Sequence, residues 1–209
     1  MTVRAGAAPP ACAPAADAAQ FLGQWLKTPA SIGAVAPSSV HLARAAAAPL
    51  PECGEPTVVE LGPGTGPFTE EIQRRLGGRG RHVAIESNAV LADALGRRYP
   101  RVDVVHGDAV HLRRFLGERA IVRADVIVSG LPWSLIAAEK QTELLDAVVS
   151  AMGPQSVFTT FAYRHAIPLT AARRFRASLT QRFEEVIPSR TVWRNLPPAF
   201  VFHARRPRA

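Results

Sequence analysis

The sequence predicts an α/β fold in which the strands of a mostly parallel sheet alternate with helices. Short apolar runs recur between segments of helical periodicity from residue 57 onwards, and the first run ends in a glycine-rich loop. Such alternation is typical of βαβ units, whose strands are covered by helices. The 209 residues, of which 47% are apolar and 20% charged, are enough for one domain with a substantial core.

The first 48 residues are predicted to precede the sheet. Residues 1–16 are rich in Ala and Pro, and we expect them to form a flexible leader. The spacing of apolar residues predicts a helix over 17–27, followed by a loop of small residues. Ser38 or Ser39 can cap a second helix that runs to about Ala48.

Strands and helices then alternate to the end of the chain. The predicted strands are 57–61, 82–85, 102–105, 125–128, 156–163, 183–193 and 200–204, and the predicted helices are 69–76, 89–98, 140–148 and 170–179. The last two strands are close in sequence, so we expect a hairpin at the sheet edge with one strand antiparallel to the rest. The sequence therefore predicts a mostly parallel seven-stranded sheet with a C-terminal antiparallel hairpin.

The strongest local pattern is the loop after the first predicted strand, Glu60-Leu61-Gly62-Pro63-Gly64-Thr65-Gly66. Glycines there let the backbone approach a bound nucleotide closely. A nicotinamide fingerprint would need a third glycine at position 67, which is Pro67. The pattern E-x-G-x-G-x-G resembles instead the first motif of class I S-adenosylmethionine-dependent methyltransferases, which have a Rossmann-like fold. Another nucleotide-binding α/β protein remains the alternative.

This resemblance implies a site for S-adenosylmethionine in a domain spanning residues 49–209, with residues 17–48 covering the site. Glu60 would lie near the methionine amino group, and the glycines beneath the cofactor. Glu86 ends the second predicted strand, where a carboxylate can accept hydrogen bonds from both ribose hydroxyls. Asp108 resembles the acidic residue that contacts the adenine amino group. The predicted cofactor-binding residues are Ser38, Glu60, Gly62, Gly64, Gly66, Glu86, Ser87, Asp108, Ala109 and Ser129.

The loop after the fourth predicted strand, Ser129-Gly130-Leu131-Pro132-Trp133-Ser134, is expected to contact the methyl acceptor. It partly resembles the acceptor motif of adenine-N6 methyltransferases, which include the ribosomal RNA dimethyltransferases. Those enzymes have a polar residue where this chain has Gly130. Glycine cannot supply the side-chain hydrogen bond to the target amino group, so methylation of a nucleic-acid base is disfavoured.

Four segments resemble bacterial phospholipid N-methyltransferases: FLGQWLK at 21–27, IGAVAPSS at 32–39, SGLP at 129–132 and WRNLPPA at 193–199. The resemblance implies N-methylation of phosphatidylethanolamine or its methylated forms, with the N-terminal helix resting on the membrane. That helix carries one basic residue, Lys27, whereas interfacial helices usually carry several. Packing of the helix over the cofactor, with a soluble small molecule as acceptor, therefore stays open.

Methyl transfer to an amine needs a neutral lone pair held in line with the sulfonium methyl. An alkylammonium must first lose a proton, and a phenol or an imidazole can order or accept it. Tyr163, at the end of the fifth predicted strand, and His165 are the candidates, while Trp133 could stabilise the ammonium by cation–π contact. Arg164, or Arg173 and Arg174, could hold a phosphate. The predicted substrate-binding residues are Ile32, Leu131, Pro132, Arg164, Arg194 and Asn195.

The formal charge of +8 favours an anionic partner, such as an anionic membrane surface or a phosphate-bearing acceptor. The sequence contains no apolar run of roughly 18 residues that could span a bilayer, and its first residues lack the pattern of a signal peptide. Cys12 and Cys53 lack the spacing of a metal or redox motif, so no metal is expected. We therefore expect a cytoplasmic protein, peripheral on the inner face of the cell membrane if its acceptor is a lipid.

Overall fold

The computed structural model describes residues 38–208. The leader predicted over 1–16, the helix predicted over 17–27 and Ile32 lie outside these residues. Within the described part of the chain, no helix has the length and apolar character needed to cross a bilayer.

Seven strands within residues 38–208 form one sheet in the spatial order β3-β2-β1-β4-β5-β7-β6. The strands are β1 (Thr57–Leu61), β2 (Arg81–Glu86), β3 (Asp103–His106), β4 (Ala124–Ser129), β5 (Met152–Tyr163), β6 (Phe183–Pro188) and β7 (Ala199–Pro207). Strands β1 to β5 pair in parallel, whereas β7 runs antiparallel to both β5 and β6. The predicted Rossmann-like fold is confirmed. The chain changes direction across the sheet between β1 and β4, which is where open α/β sheets bind ligands.

Six α-helices lie within residues 38–208. They are α1 (Val40–Ala46), α2 (Pro67–Leu76), α3 (Ala89–Arg98), α4 (Leu112–Gly117), α5 (Ala138–Ser150) and α6 (Thr170–Arg182), with short 3₁₀ turns at Ala109–His111, Trp133–Leu135 and Arg164–Ala166. Helix α4 was not predicted, because six residues are too few to establish a helical period. It nevertheless buries Leu112, Phe115 and Leu116.

Helices cover both faces of the sheet. Successive side chains of β1 point to opposite faces, so Val59 and Leu61 join the core beneath α4, α5 and α6, whereas Val58 joins the core beneath α1 and α2. Burial on both faces explains why the strands are nearly continuous apolar runs. It also encloses Glu60, which shares a face with Val58 and is fully buried.

The predicted strand over 183–193 was too long. Strand β6 ends at Pro188, since proline has no N–H with which to continue a ladder of hydrogen bonds. Residues 189–198 form a loop before β7, held by the Ser189 N–H, which donates to the Val201 carbonyl at 2.7 Å. Strand β5 in turn begins at Met152 rather than at 156, with an irregular register against β4 between Ala124 and Val126.

Candidate cofactor and acceptor site

The glycine loop joins β1 to α2 at the carboxyl edge of the sheet. Gly62, Gly64 and Gly66 have φ angles of 66°, 57° and 91°, in the left-handed region that favours glycine. A Cβ atom at position 62 would lie 2.7 Å from Leu131 Cδ2, and one at position 66 would lie 3.0 Å from Leu95 Cδ1. A Cβ atom at Gly64 would meet no atom of residues 38–208 within 4 Å, so Gly64 borders space that these residues leave open.

Glu86, at the end of β2, holds its carboxylate against this loop. Its Oε2 accepts a hydrogen bond from the Gly64 N–H at 3.0 Å, and its Oε1 accepts one from the Asn88 N–H at 2.9 Å. The Ser87 hydroxyl lies 3.5 Å from the same Oε1. Glu86 is 2% exposed, so these charge-assisted bonds fix the carboxylate beside the open space that Gly64 borders.

Glu60 lies beneath the other end of the loop. Its Oε2 accepts a hydrogen bond from the Thr69 hydroxyl at 2.7 Å and lies 3.2 Å from Nε2 of His82. Its buried Oε1 has no hydrogen-bond partner among residues 38–208. A buried carboxylate oxygen without a donor is costly, so this atom fits a ligand that brings a donor such as an ammonium group.

Asp108 follows β3 and caps the 3₁₀ turn that begins at the buried Ala109. Its Oδ1 accepts a hydrogen bond from the Val110 N–H at 3.1 Å, and its Oδ2 accepts one from Nζ of Lys140 at 2.8 Å. Lys140 lies on α5 and was not singled out in the sequence, because nothing near it in the chain links it to Asp108.

The three carboxylates follow three adjacent strands. Asp108 comes after β3, Glu86 ends β2 and Glu60 lies near the end of β1, so they occur in this order along one edge of the sheet. That order matches the base, sugar and amino-acid ends of one extended nucleoside amino acid. Together with the glycine loop and the unpaired Glu60 oxygen, these residues fit S-adenosylmethionine.

Residues 129–134, which were expected to contact the acceptor and which we call the acceptor loop, pack directly against the glycine loop. A Cβ atom at Gly130 would lie 2.5 Å from the Gly62 carbonyl oxygen, so this backbone admits only glycine there. The polar side chain that adenine-N6 methyltransferases carry at this position therefore cannot be accommodated. Leu131 and Pro132 are partly buried beside it.

Trp133 is buried in the core, contrary to its predicted contact with the acceptor. Its side chain stacks on Phe175 with ring centroids 4.8 Å apart, and its indole N–H donates to the Ser129 hydroxyl at 3.0 Å. Only 2% of Trp133 is exposed, so the ring supports the acceptor loop from below and offers no open face for a cation. Gln141, which donates to the Trp133 carbonyl, was not recognised in the sequence.

Tyr163 ends β5 as predicted, and its ring stacks on His165 with centroids 5.6 Å apart and planes 16° apart. Burial raises the pKa of Tyr163 well above its usual value, so the phenol stays protonated at neutral pH. His165 and Arg164 are exposed. The Arg164 guanidinium lies 5.7 Å from the centre of the Trp193 ring.

Asn195, which was predicted to bind the substrate, makes hydrogen bonds within the protein instead. It is 2% exposed, its Oδ1 accepts a hydrogen bond from the Ser39 N–H at 2.9 Å, and its Nδ2 donates to the Pro197 carbonyl at 2.8 Å. Asn195 therefore ties the 189–198 loop to the start of α1. Ser39, not Ser38, caps that helix, and Arg194 beside Asn195 is exposed.

Comparison with known proteins identifies methyltransferases that are similar to this chain. The family model for ribosomal RNA adenine dimethylase matches residues 42–126. An ornithine lipid N-methyltransferase of Singulisphaera acidiphila is 34% identical over 188 residues, which cover 88% of this chain and 94% of that protein.

Solved structures share the fold at low sequence identity. A TehB-like S-adenosylmethionine-dependent methyltransferase of Corynebacterium glutamicum has a TM-score of 0.55 at 14% identity, over 91% of this chain and 98% of that chain. Human methyltransferase-like protein 13, in complex with S-adenosylhomocysteine, has a TM-score of 0.58 at 16% identity, over 80% of this chain and 79% of that chain. The chain is thus an S-adenosylmethionine-dependent methyltransferase of class I, and it belongs to the same family as the ornithine lipid N-methyltransferase.

Proposed function

We propose that this enzyme N-methylates the amine of a membrane lipid whose headgroup also carries an anion. The sequence segments favour phosphatidylethanolamine and its methylated forms, and the relative named for ornithine lipid indicates a second headgroup of the same kind. The observation that carries the proposal is the surface around the acceptor site, which combines exposed apolar side chains with unpaired arginines.

Three loops form this surface, which we call the acceptor rim: residues 130–137, 164–169 and 189–198. Strands β4 and β5 are parallel and end beside each other, with Ser129 opposite Thr160. Strand β7 is antiparallel to β5 and begins with Ala199 opposite Tyr163. The loops that follow β4 and β5 and the loop that precedes β7 therefore open at the same edge of the sheet as the cofactor site.

The acceptor rim holds five of the nine large apolar residues that are exposed within residues 38–208. They are Leu135 at 46% exposure, Ile167 at 43%, Leu169 at 54%, Trp193 at 69% and Leu196 at 75%. Exposed apolar side chains are common one at a time, but their concentration at one edge is typical of an interaction surface. Apolar side chains of this kind insert into the boundary between lipid headgroups and acyl chains.

The charge of the rim complements an anionic lipid surface. Arg164, Arg190 and Arg194 lie in the rim loops, and none of these loops contains an Asp or a Glu. Arg173 and Arg174 follow at the start of α6. None of these five arginines pairs with a carboxylate of the described residues. Basic residues near a membrane surface favour anionic lipids.

The residues nearest the rim suit methyl transfer to an amine. Bound S-adenosylmethionine supplies the electrophilic methyl group. The Tyr163 phenol can orient the neutral amine by hydrogen bonding, and the exposed imidazole of His165 beside it can take the proton that an ammonium must lose. Arg164, next to Tyr163 in the chain, can hold the headgroup phosphate or carboxylate with two parallel hydrogen bonds.

A radiolabel transfer assay tests the proposal. The enzyme is incubated with labelled S-adenosylmethionine and one of three acceptors: phosphatidylethanolamine vesicles, ornithine-lipid vesicles or soluble phosphoethanolamine. We expect label in at least one lipid and none in the soluble amine. Label in the soluble amine alone, or in neither lipid, would contradict a lipid acceptor and favour a small-molecule methyltransferase.

Paired surface variants test the rim itself. Trp193→Ser with Leu196→Ser should weaken vesicle binding at least about ten-fold, because each large apolar side chain that leaves water contributes about 1.5–3 kcal/mol. The affinity for S-adenosylhomocysteine should not change. Val90→Ser with Val122→Ser is the matched control, since both valines are more than 70% exposed and lie outside the rim. Equal vesicle binding by the two double variants would contradict a docking role for the rim.

A further inference from the structure

A chain of buried polar side chains connects β1, β2 and α2 beneath the glycine loop. Glu60 and Thr69 are fully buried, and His82 is 3% exposed. Gln73 on α2 completes the chain by contacting His82. Apolar residues would pack more easily in this position, so the polar groups call for a specific explanation.

The contacts among these four side chains show which of their polar atoms have hydrogen-bond partners. The Gln73 amide nitrogen lies 3.0 Å from Nδ1 of His82, and it can donate to Nδ1 in the tautomer that carries the ring hydrogen on Nε2. Nε2 of His82 lies 3.2 Å from Oε2 of Glu60 but makes no hydrogen bond to it, whereas the Thr69 hydroxyl donates to the same Oε2 at 2.7 Å. One hydrogen bond from Thr69 and the adjacent His82 ring therefore hold one carboxylate oxygen, and Oε1 has no hydrogen-bond partner among residues 38–208.

The position of Thr69 shows where the Glu60 carboxylate lies relative to the cofactor crevice. It lies in the first turn of α2, whose N-cap is Gly66, and a Cβ atom at Gly66 would be 3.7 Å from its hydroxyl. The Glu60 carboxylate is therefore beneath the end of the glycine loop. That is the amino-acid end of the crevice, since Glu86 and Asp108 follow β2 and β3 on the other side.

We propose that His82 and Thr69 are positioning residues that hold Oε2 of Glu60 so that its other oxygen, Oε1, faces the ammonium group of the cofactor. This inference rests on the cofactor assignment and is independent of the identity of the acceptor. A carboxylate held by a buried hydroxyl and packed against a buried imidazole is already oriented before the ligand arrives, so it binds the ammonium without reorganisation. A nucleoside that lacks the amino-acid portion gains nothing from this arrangement.

Two ligands separate this role from a general contribution to folding. S-adenosylhomocysteine carries the ammonium group, whereas 5′-methylthioadenosine has the same nucleoside without the amino-acid portion. In Thr69→Val the affinity for S-adenosylhomocysteine should fall about ten-fold, as expected for one lost hydrogen bond to a charged group. In His82→Leu it should fall in the same direction, because the ring no longer packs its polar edge against Oε2 of Glu60. The affinity for 5′-methylthioadenosine should stay within about two-fold of the wild-type value, because that ligand has no ammonium group to meet the carboxylate.

A conservative and a remote variant serve as controls. His82→Gln retains a side-chain donor and should keep the ratio of the two affinities within about three-fold of the wild-type ratio. Ser156→Ala removes another buried hydroxyl, which bonds the Ala124 carbonyl at 2.6 Å, and should lower stability without changing the ratio.

The ratio of the two affinities, measured by calorimetry, decides the proposal. Equal losses of both ligands in Thr69→Val and His82→Leu, or no loss of either, would overturn it. If His82→Leu does not fold, Thr69→Val and His82→Gln still provide the comparison. Failure of lipid methylation would leave this ratio unaffected, so the two proposals fail separately.

Discussion

At the scale of single residues, Gly64 and Gly130 show two different reasons for glycine at one edge of the sheet. Gly64 has a left-handed φ, and its missing side chain leaves open space that a cofactor can occupy. At Gly130 the missing side chain leaves room for the Gly62 carbonyl, so the space is filled by the protein itself. The spacing of glycines in the sequence does not distinguish these two uses.

We expect Gly64→Val to weaken binding of S-adenosylhomocysteine at least about ten-fold, because overpacking typically costs about 1–3 kcal/mol. The left-handed φ adds a folding cost of about 1–2 kcal/mol. Gly54→Val is the control, since Gly54 also has a positive φ and no neighbour among the described residues within 4 Å of an added Cβ atom, but lies in the loop before β1. Calorimetry and thermal unfolding of both variants provide the test, and wild-type affinity in Gly64→Val would contradict the site.

Tyr163→Phe removes the phenol and keeps a ring that can stack on His165. Since burial raises the pKa of Tyr163, the hydroxyl acts as a hydrogen-bonding group and not as a base. We expect turnover to fall about five- to ten-fold, the value of one lost hydrogen bond, with unchanged affinity for S-adenosylhomocysteine. The pH dependence of turnover near neutrality should keep its shape, and a displaced profile would contradict this role.

At the scale of secondary-structure elements, the 189–198 loop links the two ends of the described chain. Pro188 ends β6, and Asn195 then bonds the N–H of Ser39, 156 positions away in sequence. The same loop carries Trp193 and Arg194 into the acceptor rim. The segment that resembles phospholipid N-methyltransferases at 193–199 thus combines one buried anchor with exposed neighbours.

Asn195→Ala should lower the free energy of unfolding by about 1–3 kcal/mol, because it removes two partly buried hydrogen bonds and leaves the Ser39 N–H unpaired. The exposed neighbour provides a matched control: Arg194→Ala should change stability by less than about 0.5 kcal/mol. Urea unfolding measures both variants. Equal stabilities would show that the loop is held to α1 by other contacts.

At the scale of the whole molecule, folding stability should fall with acid. Burial, and secondarily Arg205, lowers the pKa of His203 on β7 below its ordinary value of 6.5. The unfolded chain therefore binds this proton more readily than the folded protein does. The contribution of His203 to the free energy of unfolding is fully present above the ordinary pKa of 6.5. It is lost as the pH falls through the lower pKa that His203 has in the folded protein. Glu71, whose pKa is lowered first by its hydrogen bond to Arg74, adds a loss in the same direction below 4.5.

His203→Gln should reduce the acid sensitivity. Between pH about 7.5 and about 5.5, the free energy of unfolding should fall less in the variant than in the wild type, because the variant has no imidazole to protonate. Urea titrations at the two pH values measure the difference. An equal decrease in both proteins would mean that other groups cause the acid sensitivity.

Much of the architecture was predictable because its signals are local. Strands buried on both faces form continuous apolar runs, and left-handed glycines occur at fixed spacing between a strand and a helix. Pro67, which excludes the nicotinamide fingerprint, occupies the first turn of α2, where its missing N–H costs nothing. The order of Glu60, Glu86 and Asp108 after successive parallel strands likewise follows from topology. The predicted cofactor, S-adenosylmethionine, is confirmed by the methyltransferase relatives.

The sequence by itself thus determined the fold class, the cofactor and the edge of the sheet at which the cofactor site was expected. Only the tertiary structure decided that Trp133 is enclosed against Phe175, that Asn195 holds Ser39, and that His82 and Thr69 share one oxygen of Glu60. The physical reason is that periodicity and loop motifs report on neighbours along the chain. Side-chain contacts between distant elements depend on how helices pack against the sheet, which no local pattern encodes.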